Sequence, residues 1–377
     1  MKNQSWKPVD FKSVFSNLTI YGSSHAIVDA TCAAVILSLS QIHSVDLGGF
    51  FALVVLYNIL AFGFQVPFGL MIDKWHIPLF SAIAGCILTA VSTIVLVFSS
   101  IIAVCLAGIG NALFHVGGGT ISLNLTPKRA TAPGIFVAPG ALGIFVGTII
   151  GKSGDFVSWP FVFLLLSLCV AMFMIGVPKI DYDQNNRESR QVDFHCLELV
   201  ILLLLSSIAV RSLVGLAIVF PWKSDMILFI TLTAAVVLGK AFGGILADKL
   251  GWISAATISL LISAPLLSFG ANNPYIAIVG MFLFSITMPI TLVAISNMLP
   301  GRPGFSFGLT CLALIAGALL AFTEFKFIFG NELAILTIIL VSMAALFYGL
   351  LLFFKSFSFR NSKTYMKRNE GKKHAEK

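Results

Sequence analysis

Gly244-Ile245-Leu246-Ala247-Asp248-Lys249 closes one long apolar run of this chain, and Gly69-Leu70-Met71-Ile72-Asp73-Lys74 closes another, its aspartate 175 residues earlier. A second pattern repeats at nearly that offset. Asn124-Leu125-Thr126-Pro127-Lys128-Arg129 and Asn297-Met298-Leu299-Pro300-Gly301-Arg302 carry arginines 173 residues apart. Either pattern alone reads as a solvated loop with a helix cap. Two patterns at one offset, each in the corresponding loop, read as a duplicated unit.

The unit is a set of six membrane spans. The 377 residues are 58% hydrophobic and only 11% charged, too few charges for a soluble domain. A bilayer core needs about 20 apolar residues per helix. Runs of that length fall near 16–40, 47–71, 77–98, 100–122, 131–151 and 157–177. After a polar break they resume near 197–219, 225–247, 253–270, 274–298, 303–324 and 331–355. The runs are continuously apolar, so helices rather than barrel strands are expected. The expected architecture is all-α, with twelve transmembrane helices in two pseudo-symmetric six-helix bundles. The boundaries are an N-terminal segment 1–15, a bundle 16–177, a central loop 178–196, a bundle 197–355 and a basic tail 356–377. Little chain is left for any extramembrane domain.

Charge orients the spans. With both termini inside, 19 of the 24 Lys and Arg lie in cytoplasmic segments, eight of them from Lys355 onward. The positive-inside rule therefore puts both termini in the cytoplasm of a multi-pass cell-membrane protein. The net charge of +8 is thereby placed as a topology and lipid-contact signal, not a nucleic-acid surface. No cleavable signal segment is expected in the polar stretch Met1–Asp10. The six Cys show no CxxC spacing, and neither disulfides, a metal nor a cofactor is expected.

The twelve spans and the two GxxxD-Lys loops resemble the major facilitator superfamily. Gly239 to Gly251 is close to its signature loop, and the copy ending at Trp75 is degraded by His76 and Pro78. Within the superfamily the chain looks most like the fosmidomycin-resistance branch. The carrying residues are His25-Ala-Ile-Val-Asp29, Gly110-Asn111-Ala-Leu-Phe114-His115, Arg211-Ser212, and Leu299-Pro300-Gly301-Arg302. Span five, Gly134-Ile-Phe-Val-Ala-Pro139-Gly140-Ala-Leu-Gly143 with Gly147 beyond, resembles an antiporter motif. Glycines at four-residue spacing equally make a close helix-packing face, and both readings stay open.

Charges inside spans are costly and mark ion or substrate paths. At 1.5 Å per residue from the inner end, His25 lies about 13 Å deep, Asp29 about 20 Å, Arg211 about 21 Å and His115 about 11 Å. His25 and Asp29, four apart, share a helix face. The resemblance implies that spans one, four and seven line a central cavity. An Asp29–Arg211 pair or relay between the halves is then expected, with His25, Asn111 and His115 as substrate or proton ligands. Lys240, about 11 Å from its inner end, either reaches this path or snorkels. Glu324 is expected at the outer mouth. Asp73 and Asp248 are expected to accept hydrogen bonds from a neighbouring helix N-terminus as gating groups. Lys74, Arg129, Lys249 and Arg302 would supply matching charge or contact anionic lipid.

The expected function is secondary transport of a small molecule by alternating access, as proton-coupled efflux. Proton-coupled import of a sugar or organic anion is the alternative. A transporter-like sensor and an intramembrane metalloenzyme built on His25, Asp29 and His115 are remoter. No GxxxxGK(S/T) loop is present to drive transport with ATP. The chain is expected to work as a monomer, without enzymatic activity.

Overall fold

The computed structural model describes residues 10–41, 45–178, 194–321, 323, 329 and 331–375, with side chains for all but 194–196 and 357–375. Residues 1–9, most of the expected central loop, and Glu324 lie outside the described residues.

Twelve helices are long and apolar enough to cross a membrane. They are α1 (Phe11–Gln41), α2 (Leu47–Trp75), α3 (Pro78–Val95), α4 (Ser100–Leu125), α5 (Thr131–Ser153) and α6 (Ser158–Ile175) in the first half. The second half has α7 (Leu197–Ala217), α8 (Met226–Leu250), α9 (Trp252–Phe269), α10 (Pro274–Met298), α11 (Pro303–Leu320) and α12 (Glu332–Ser356). Apolar side chains such as Phe80, Phe163 and Phe173 are exposed around the outside. Hydrocarbon, not water, is the solvent such a surface suits.

Packing repeats across the halves. α1 packs on α5 as α7 packs on α11, α3 on α4 as α9 on α10, and α3 on α6 as α9 on α12. The halves meet through α2 against α11 and α5 against α8, again a symmetric pair. Twelve successive crossings return the chain to the side it started from, so the ends of α1 and α12 nearest the chain termini share one face, the terminal face.

Prolines shape the helices that line the centre. Pro289 has no N–H for the Ser285 carbonyl. Accordingly α10 breaks at Ile286, between helical segments Pro274–Ser285 and Thr287–Met298. Pro67 likewise leaves the Gly63 carbonyl without its donor, and the turn just before it, Ile59–Gly63, is a widened π-turn.

Two boundaries differ from the hydropathy reading. α1 begins at Phe11, ahead of the apolar run. The helix containing α12 runs on from Glu332 to Ala375 instead of ending in a separate tail. Hydropathy marks where a helix leaves the membrane, not where it stops. Residues 356–375 contain no proline to end it.

Candidate functional site

A cavity of about 610 Å³ lies between the halves, walled by α1, α2, α4 and α5 on one side and α7, α8, α10 and α11 on the other. Its lining includes His115 and Arg211 within their helices and Leu37, Thr148, Leu216 and Ala318 toward the face opposite the termini.

Its deepest polar feature is a cluster from α1 and α4. His25 and Asp29 are four residues apart on α1, and His25 Nε2 is 3.2 Å from Asp29 Oδ2. From α4, His115 Nε2 lies 3.4 Å from Asp29 Oδ1 and 2.9 Å from His25 Nε2. Asn111 Nδ2 donates to Asp29 Oδ1 at 3.2 Å. His25, Asp29 and His115 are all at least nine-tenths buried.

The other ring nitrogens fix the tautomers. His25 Nδ1 is 2.8 Å from the Phe136 carbonyl, and His115 Nδ1 is 2.9 Å from the Asn111 carbonyl. A carbonyl only accepts, so each Nδ1 carries a hydrogen and donates it. In neutral rings both Nε2 atoms are then bare lone pairs. They point at each other and at a carboxylate. Three acceptors meeting in a buried space repel one another unless a cation stands among them. The three ligating atoms lie within 4.8 Å of one another, so a metal ion could also be enclosed. Lys240 and Arg211, which line the same cavity, disfavour a dication there.

Gly140 on α5 lets this cluster form. A Cβ there would lie 2.6 Å from Asp29 Oδ2 and overlap His25 Nε2. Gly143, Gly147 and Gly151 then carry α5 along the carbonyls of Ala26, Ala30 and Ala34 on α1. Gly134 faces Lys240 and Gly244 on α8 instead, and Pro139 touches Gly22. The span-five glycines therefore form a close-packing face.

The expected Asp29–Arg211 pair is absent in this conformation. Asp29 is held by His25, His115 and Asn111. Arg211 donates from Nε to the Ser207 carbonyl at 3.2 Å, from Nη1 to Thr287 Oγ1, and from Nη2 to Thr291 Oγ1 at 3.1 Å. Depth along a helix put the two charges at one level, but rotation about the helix axes gives each other partners. Thr287 and Thr291 were not among the expected site residues. Their legible signal is Thr-x-Pro-x-Thr, two hydroxyls one turn apart around the helix-breaking Pro289.

At the terminal face the two motif aspartates join the halves. Asp73 at the end of α2 accepts from the backbone N–H groups of Gly304 (2.9 Å) and Phe305 (2.8 Å) at the start of α11. Asp248 at the end of α8 accepts from Ala130 N and Thr131 N, both at 2.9 Å, at the start of α5. The Thr131 hydroxyl at 2.6 Å and Trp252 Nε1 at 3.2 Å donate to it as well. Each carboxylate thus sits on the positive end of a helix from the other half. Gly69 allows the contact, because a Cβ there would overlap the Gly304 carbonyl. Pro127 and Pro300 lie in the paired loops just before these helix starts. Lys74, Arg129, Lys249 and Arg302 are exposed, and among the described residues none forms an ion pair.

The fold is matched among solved structures. The chain is similar to the E. coli fucose:proton symporter FucP, with a TM-score of 0.67 at 10% identity, over 92% of this chain and 99% of that one. This is the major facilitator fold. A crystal structure of FucP in the outward conformation gives a TM-score of 0.66 at 11% identity, covering 90% of this chain and 99% of FucP. At such identities the likeness is one of fold. No protein-family model matches the chain, and no curated protein sequence matches it. The finer likeness to the fosmidomycin-resistance branch thus rests on the sequence motifs alone.

Proposed function

We propose that this chain is a secondary active transporter that moves a small molecule by alternating access, coupled to protons. One observation carries the coupling. With both Nδ1 hydrogens donated to carbonyls, the triangle of His25 Nε2, His115 Nε2 and the Asp29 carboxylate needs a cation. A single shared proton satisfies all three acceptors. Its release leaves three lone pairs facing one another, so deprotonation favours pulling α1 from α4. Proton occupancy is thereby tied to helix position, which is what coupling requires.

With the terminal face taken as cytoplasmic, the Asp73 and Asp248 contacts close the inner side and the cavity opens outward. Their breakage would open the inner side. Lys74, Arg129, Lys249 and Arg302 would then face the headgroups of the cell membrane. We take the protein to act as a monomer and not as an enzyme.

Efflux by proton antiport is the direction we favour, on the likeness of Gly134 to Gly143 to an antiporter motif and of His25, Asp29, Asn111, His115 and Arg211 to the fosmidomycin-resistance pattern. Import is the second reading, because the structural neighbour is a fucose:proton symporter. Imposed pH gradients of either sign across proteoliposomes, with internal and external substrate in turn, separate the two. Accumulation against the proton gradient direction gives antiport, and accumulation along it gives symport.

A further inference from the structure

Among the described residues, Arg211 is a buried charge without a counter-charge. Only 8% of it is exposed, yet the acceptors it meets are a carbonyl and two hydroxyls, all neutral. The hydroxyl hydrogens are themselves engaged: Thr287 donates to the Phe284 carbonyl, and Thr291 donates to those of Thr287 and Met288. Among the described residues no carboxylate pairs with the guanidinium, since Asp29 pairs with the two histidines. Three of its five N–H groups are used, leaving one on each terminal nitrogen. Both Arg211 and Thr291 line the central cavity.

The approach to this group is also cationic. A second cavity, of about 510 Å³, adjoins the first, sharing Ala141, Ile144 and Thr148 with it. Lys152 at the end of α5 and Lys223 between α7 and α8 line it. The Lys223 ammonium sits 5.0 Å over the Phe229 ring. Burial, and then the neighbouring Lys152, push its pKa down. Asp225, the acid next in sequence, caps α8 through the N–H groups of Ile227 and Leu228. Lys240 stands further in, on the central cavity. Much of the remaining wall is apolar, including Ile36, Phe62, Val137, Ile208, Met288 and Leu314.

We infer that the transported molecule is an organic oxyanion with an apolar body, its acidic head on the free N–H groups of Arg211 and its body against the apolar wall. Lys152 and Lys223 line its path between this site and the face opposite the termini. The acid supplies the charge that Arg211 lacks, and a guanidinium is well matched to a planar carboxylate. A sugar would leave most of this wall without hydrogen-bonding use. The inference deepens the transport reading and rests on it for the word "transported"; the binding itself does not.

The test is binding to the purified full chain in nanodiscs, by calorimetry, of probes that share one body: 4-phenylbutyrate, 4-phenylbutanol, 4-phenylbutylamine and 4-phenylbutylphosphonate. The two anions should bind about tenfold or more tighter than the alcohol and amine, as a charge-assisted hydrogen bond implies. The carboxylate and phosphonate arms show which acid fits. R211Q should abolish the preference, and R211K should keep part of it by keeping the charge. K152Q/K223Q should slow association more than dissociation. Equal binding of amine or alcohol by the unaltered protein overturns the inference, whatever the variants do. So does the absence of saturable anion binding, or an unchanged preference in folded R211Q. Anion binding without proteoliposome flux would leave this site standing and remove the transport reading instead.

Discussion

His25 Nε2 and His115 Nε2 stand 2.9 Å apart, while the opposite nitrogen of each ring donates to a backbone carbonyl. α1 and α4 therefore meet through a contact that exists only when something positive occupies it. His115→Gln keeps a polar side chain that can accept a hydrogen bond but removes a basic nitrogen that can hold the shared proton. Gradient-driven accumulation should fall on the order of tenfold or more, while exchange of labelled for unlabelled substrate continues. Flux in proteoliposomes, with and without the gradient, separates these effects.

Gly140→Ala should disable coupling without blocking membrane insertion. The added methyl would lie 2.6 Å from Asp29 Oδ2. Overpacking of this kind costs about 1–3 kcal/mol. A melting temperature a few degrees lower and a loss of gradient-driven transport are expected. A Gly140→Ala protein that couples normally would show that α1 and α5 separate during the cycle more than their packing here implies.

The two lock carboxylates should differ in weight. Asp248 accepts four hydrogen bonds, three of them from α5, whereas Asp73 accepts two from α11. Hydrogen bonds to a charged group contribute about 1.5–3 kcal/mol each. Asp248→Ala should therefore shift the population away from the conformation described here more than Asp73→Ala does. Distances between spin labels on the terminal face, one in each half, measure the shift. Turnover should slow in both variants.

Elemental analysis of protein purified without chelator distinguishes the proton from a metal at the cluster. The expected result is no stoichiometric transition metal, and unchanged melting on adding zinc. One bound ion per chain, lost in His25→Ala, would assign the triangle to a metal.

Hydropathy alone carried the twelve spans, because the lipid-facing surface must be apolar all round the molecule. The duplication was legible in Asp73 and Asp248, since each copy meets the same kind of partner, a helix start in the other half. The cluster was legible in part. Four-residue spacing put His25 and Asp29 on one face, and helix depth put His115 level with His25. Rotation was not legible, and so the Asp29–Arg211 pair was expected where Thr287 and Thr291 hold Arg211 instead. Hydroxyls are quiet in a hydropathy profile; Thr291 lines the cavity, and Thr287, beside the break at Ile286, is fully buried and meets it only through Arg211. Lys152 and Lys223 read as ordinary loop charges because their common cavity forms only when α5 and α8 pack across the halves.

Flux through Asp29→Asn in proteoliposomes tests the central claim most directly. An imposed pH gradient drives a labelled ligand, 4-phenylbutyrate or any compound that stabilises the purified protein. The unaltered protein should concentrate it, and Asp29→Asn should only equilibrate it while still exchanging it across the membrane. Full proton-coupled accumulation by Asp29→Asn would contradict a proton held among His25, Asp29 and His115.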